Sequence, residues 1–213
     1  MKPAAKSDQL GFDQLLAAAD GDNARRIQEK ACDDLPDTFG EALPYLRSLI
    51  ARHHAFMVAA NMDEAMALRE AARRVAYKLN GFKPGILAGP DAPGCALERL
   101  AAAPKGTVPL WGQRGSFVLD INGMRVRIAM DGVYGICTNH SIWPGFGAHI
   151  VERDKPFLSG TGYRSFLGLC AELPSGQTPD SFARIVIESH VRHELKGKLV
   201  SLGPQYRNGS AVP

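Results

Sequence analysis

The sequence predicts an α+β protein, with helices that include an antiparallel helical hairpin, followed by an antiparallel β-meander packed on a C-terminal helix. Three observations carry that prediction. Phe39, Leu43, Leu46, Ile50, His53 and Met57 follow one another at alternating steps of four and three, which keeps all six on one stripe of a helix. Two alternating apolar segments flank Asn122-Gly123, the dipeptide of a type I′ hairpin turn. Thr178-Pro179-Asp180 then opens a further apolar segment as a helix does, with a capping threonine and a proline in the first helical position.

Taken in order, Leu10, Phe12, Leu15, Leu16 and Ala19 predict a short amphipathic helix that stops near Gly21. Asn23 caps a second short helix reaching Cys32, with Ile27 and Ala31 turned inward. Within the long stripe, Pro44 lacks the amide hydrogen of an interior helical residue. The continuous helix is therefore expected to begin at Pro44, after a short helical turn. Asn61 and Glu64 resemble a capping box for the next helix. That helix carries Ala65, Leu68, Ala72, Val75 and Leu79 on one stripe and Arg69, Glu70, Arg73, Arg74 and Lys78 on its other face. Asn80-Gly81 closes it. The short connection makes residues 44–80 an antiparallel hairpin inside a helical region 1–80.

Residues 81–115 are rich in glycine and proline and read as an irregular connection, with room for one short helix at 96–103. An α+β unit spans 116–203. A two-residue turn pairs Ile121 with Met124, Leu119 with Val126 and Phe117 with Ile128, so six apolar side chains share one face. The same register sets Asp120 opposite Arg125 on the other face. Asp131-Gly132 repeats the turn signal and predicts a third strand at Val133–Cys137. Further strands are expected at Ala148–Glu152 and Lys198–Leu202. The last helix should run from Thr178 to about Lys196, buried on more than one side because Phe182, Ile185, Val186, Ile187, Val191 and Leu195 spread around it. Residues 204–213 form a tail.

Composition narrows the function classes. The chain has 213 residues, of which 45% are hydrophobic and 22% charged, so it can bury a core of ordinary size. Its 25 basic and 22 acidic residues leave a formal charge of +3, which argues against a nucleic-acid-binding or membrane-surface protein. Cys32, Cys95, Cys137 and Cys170 form no Cys-x-x-Cys pair, which points to buried thiols in a reducing compartment. Asp8 and Asp13 interrupt any leader-like apolar run, and no stretch is long enough to span a bilayer. The expected location is the cytoplasm.

Candidate chemistry concentrates in two segments. Asn139 to His149 holds His140, Trp143, Phe146 and His149, residue types that loops on a sheet scaffold use to bind ligands or partners. Ser159 to Ser165 could offer an anion the backbone of Gly160 and Gly162 together with Arg164 and Ser165. If the two segments meet, Arg164 would hold an anionic substrate and His140 or His149 would act as general acid–base. His190 and His193, one turn apart, are weak metal candidates that fit no zinc-protease motif. No cofactor is predicted. Arg69, Arg73, Arg74, Lys78 and Lys83 form a basic strip, and Arg125 with Arg127 a second, both read as solvated faces. The leading expectation is a non-catalytic regulatory or adaptor protein acting through a protein partner or a homodimer, with the helical stripes as its contact. The alternatives are a hydrolase or transferase for a small anionic ligand, and after it a nucleic-acid binder.

Overall fold

Helix α1 (Ser7–Lys30) is one continuous helix where two short ones are expected. The computed structural model describes residues 7–135, 144–167 and 173–207, and in α1 the side chains of 14–23 and 26–30. Gly21 lies inside α1 with open space around it, and a glycine in an exposed helix costs only about 1 kcal/mol, too little to stop it. Ile27, expected to turn inward, is 70% exposed, as is Leu15. The helix meets the body near its C-terminal end, where the Tyr77 hydroxyl donates to Gln28 at 3.3 Å and Cys32 is buried.

Helix α2 (Phe39–Val58) begins before Pro44 and carries it inside. The Thr38 side chain accepts from the Glu41 amide at 3.3 Å while the Glu41 carboxylate accepts from the Thr38 amide, a complete capping box. Pro44 withholds a hydrogen bond only from the carbonyl of Gly40, which is exposed and open to water. Thr38→Ala should therefore lower stability by about 1 kcal/mol, read as a drop in urea midpoint at unchanged slope.

Asn61 caps helix α3 (Met62–Leu79), and α2 and α3 pack as the expected hairpin. Leu46, Leu49 and Ile50 of α2 meet Leu68, Ala72, Val75 and Ala76 of α3. Helix α4 (Pro93–Leu100) adds Leu97 to this cluster, and Val133 and Tyr134 complete it. Apart from Phe39, which is 41% exposed, the hairpin stripes are thus consumed within the chain.

Strands β1 (Gly115–Ile121), β2 (Met124–Met130), β3 (Phe146–Ile150) and β4 (Tyr163–Phe166) form an antiparallel sheet in the order β1-β2-β3-β4. The first hairpin has the register the pattern predicts, with Asn122 and Gly123 both at positive φ. Asp120 and Arg125 lie 3.6 Å apart, an exposed pair that adds little stability. Val133–Gly135, the described part of the third strand expected at Val133–Cys137, is not a strand. After β2 the chain turns, with the Gly135 amide donating to the Gly132 carbonyl, and Val133 and Tyr134 leave the sheet for the hairpin cluster. Ile136 and Cys137 lie outside the described residues.

Helix α5 (Pro179–His193) covers the inner face of the sheet with Phe182, Ala183, Ile187 and Val191. It ends earlier than expected and is buried on one side only, since Ile185 is 51% exposed. The strand expected at Lys198–Leu202 reduces to a single bridge between Phe157 and Val200. A four-residue helix, α6 (Pro204–Arg207), occupies the start of the tail. The sheet cluster also takes in Met57 and Ala65 from the hairpin and Trp111 from the connection, so the hairpin packs into the sheet cluster as well as forming its own. Among the described residues no helix is long and apolar enough to cross a membrane.

Candidate functional site

Strand alternation separates the residues that the sequence places together. His149 pairs with Tyr163, and their rings lie 4.8 Å apart on the outer face of the sheet. Arg164 pairs with Ala148 and projects to the inner face, its guanidinium 5.9 Å from the Phe166 ring. Ser165, opposite Gly147, returns to the outer face. Arg164 therefore converges with neither Ser165 nor His149. The turn before β4 satisfies itself: the Gly162 amide donates to the Ser159 carbonyl at 3.4 Å, and the Tyr163 amide donates to the Thr161 hydroxyl at 3.3 Å. The Gly160 carbonyl accepts from the Gly203 amide, which ties this turn to the C-terminal segment.

Phe146 is 2% exposed and packs against Phe166 and Phe182, so it is core and not a loop contact. His140 and Trp143 lie outside the described residues. His190 sets its ring edge-on to Phe166, and burial, then the Arg164 charge, lower its pKa. His193 is exposed, and the described residues contain no group of three metal-ligating side chains.

A junction that sequence reasoning missed lies between the hairpin and the sheet. The Trp111 amide donates to Nδ1 of His54 at 3.1 Å, and Nδ1 of His53 lies 2.9 Å from the Trp111 carbonyl. The carbonyl can only accept, so Nδ1 of His53 carries the proton. Burial is the main reason the His53 pKa falls to about 4, with the Arg69 charge second. Arg69 is 6% exposed rather than part of a solvated strip, and it donates to the carbonyls of Gly135 (2.9 Å) and Gly132 (3.5 Å). Its place one turn after Ala65, beside Leu68, is the signal that could have found it. His53, Arg69 and Trp111 line a cavity of about 40 Å³, enough for water but not for an organic ligand. The junction is a clamp. Lys78 is also spoken for, donating to the Leu35 carbonyl at 2.6 Å and pairing with Asp37, so the basic strip of α3 does not act as one face.

The outer face of the sheet is different in kind. The register aligns Val118, Arg127, His149 and Tyr163 in a row across all four strands. Val118 is 44% exposed and Tyr163 38%. The neighbouring row is Ser116, Ala129, Gly147 and Ser165, four small half-buried residues that leave a shallow trough at Ser116 and Ala129, while the Ser165 hydroxyl is buried. A Cβ on Gly147 would come within 3.3 Å of both the His149 and Tyr163 rings, so the glycine gives them room to lean over the trough. Burial and then the Arg127 charge lower the His149 pKa, which favours a neutral ring beside a fixed cation. At one end the trough opens through Ser116 and Ala129 into a groove of about 710 Å³ that carries Arg99, Lys105 and Arg114.

Comparison with known proteins adds a name without a function. Two proteins of Escherichia coli, each called Protein KlcB, are similar to this chain. One is 34% identical over 149 residues, covering 68% of this chain and 31% of that protein. The other is 41% identical over 92 residues, covering 43% and 22%. The chain thus spans under a third of the length of the curated relatives it matches. No family model matches it, and no solved structure does.

Proposed function

We propose that the chain is a non-catalytic binding module whose working surface is the outer face of the sheet. The observation that carries this reading is the row Val118, Arg127, His149 and Tyr163, which crosses the full sheet with Val118, Arg127 and Tyr163 exposed and His149 half-buried. One-sided sheets ordinarily present polar residues to water, and an aliphatic side chain and an aromatic ring held there suit a contact surface. A partner docking on the hairpin stripes beyond Phe39 would have to open the core, because Leu46, Ile50, Leu68, Ala72 and Val75 are buried. The sheet face takes over the role expected of them. The enzyme reading ranks second, since His149 and Arg164 stand on opposite faces. The dispersed cysteines, with Cys32 and Cys95 free, agree with action in the cytoplasm.

A photo-crosslinking amino acid placed at Val118 in cells should form adducts that the same group at Ile185, on the exposed side of α5, does not. Equal yields at both positions, or none at 118, would contradict the reading.

A further inference from the structure

We propose that the open sheet face binds single-stranded nucleic acid, an inference that rests on the preceding reading and names its partner. Tyr163 and His149 set two rings, 4.8 Å apart and tilted by 47°, over Gly147, with Ser116 and Ala129 further along the same row. Aromatic rings on a flat sheet are stacking platforms for unpaired bases, because every base has a π-face. Arg127 stands in the same row as the rings, and Arg99, Lys105 and Arg114 line the groove that continues the trough. Cations along a groove beside stacking rings are the arrangement that tracks a single-stranded backbone.

The balance of charge gives the face a direction. At the end away from the groove, Asp120 and Glu152 offset Arg125 and Lys155, and the surface there is close to neutral. In the groove the cations outnumber the acids: Asp131 lines it and Glu98 pairs with Arg114 at 3.4 Å, against Arg99, Lys105 and Arg114, with Arg127 beyond. The Arg99 guanidinium donates to the Pro90 carbonyl, a neutral partner. Polyanion complementarity is therefore local, which is how a chain of net charge +3 can hold a phosphate backbone. Single strands are preferred over duplex because paired bases present no face to the rings. An acidic peptide would satisfy the cations and leave the two rings without a task.

The test uses the full purified chain and fluorescent oligothymidylate of about 16 nucleotides, the upper site size for one small domain. Anisotropy is read for the single strand and for its duplex at salt from roughly 50 to 200 mM. The single strand should bind more tightly than the duplex. Tyr163→Ala and His149→Ala should each weaken binding about ten-fold, whereas Tyr163→Phe, which keeps the ring, should retain it. Arg127→Gln should reduce the logarithmic salt slope by about 0.7, and Arg74→Gln on exposed α3 should change nothing. Thermal unfolding of each variant separates lost binding from lost fold. No binding at low salt, or equal binding of duplex with Tyr163→Ala unaffected, overturns the inference. An adduct at Val118 that resists nuclease and yields to protease overturns it too, yet leaves the open-face reading standing, whereas absence of any adduct there removes that reading itself.

Discussion

Trp111→Ala is expected to destabilise the protein by about 3–5 kcal/mol, the cost of truncating a buried tryptophan whose neighbours cannot collapse into the space. The indole is 3% exposed and meets Phe182 of α5 edge-on at 5.4 Å. Its Nε1 donates to the Gln177 carbonyl at 2.8 Å, which the substitution leaves without that donor. The backbone of the same residue is held by His53 and His54, so one residue ties the hairpin, the connection and α5 together. Urea unfolding followed by far-ultraviolet circular dichroism measures the effect. A loss under about 1 kcal/mol, the scale of a surface substitution, would mean that the halves do not depend on this junction.

The second large effect is acid destabilisation through His53. Its pKa is about 4 in the folded protein against 6.5 for the free side chain. Between those values the unfolded chain takes up a proton that the folded chain refuses, so unfolding gains as pH falls. The contribution is fully present above about pH 6.5, shrinks through the interval and is gone below pH 4, about 3 kcal/mol in all. Burial lowers the pKa values of His54, His149 and His190 in the same direction, so the wild-type curve is their joint result. His53→Gln isolates the one group: it keeps a donor for the Trp111 carbonyl and cannot titrate. Stability measured from pH 7 to 4 should fall less steeply in this variant. Parallel curves would show that His53 does not refuse its proton.

The parts of the fold that were legible in the sequence are those decided locally. The register of the first hairpin needed only Asn122-Gly123, the alternation on either side and the Asp120–Arg125 pair. The α2–α3 hairpin needed only the apolar stripe and Asn61. Pro44 taken alone places the start of α2 too late, because Thr38 and Glu41 upstream form a capping box that offsets it. Other features turned on partners distant in sequence. His53 and Trp111 are 58 positions apart, and nothing local marks a histidine on an apolar stripe as a clamp. Gly112 belongs to the same junction: at φ 81 it turns the chain where a Cβ would sit 2.6 Å from the His53 ring. Val133 and Tyr134 look like strand residues by pattern, and long-range burial against α2 and α3 decides otherwise.

The candidate site suffered from one missed element. With no strand assigned at 163–166, Arg164 and Ser165 read as neighbours on a loop, and alternation along β4 sends them to opposite faces. Once β3 and β4 are strands, His149 and Tyr163 become a pair and the outer row assembles itself. That row, rather than the glycine-rich turn before it, is the surface with chemistry to offer.

The most direct test of that surface is an amide chemical-shift map of the isotope-labelled chain titrated with oligothymidylate. The account predicts shifts concentrated at Ser116, Val118, Arg127, Ala129, Gly147, His149, Tyr163 and Ser165, with α1 and the outer side of α5 unmoved. Shifts centred on α1 or α5, or none at saturating ligand, would contradict it.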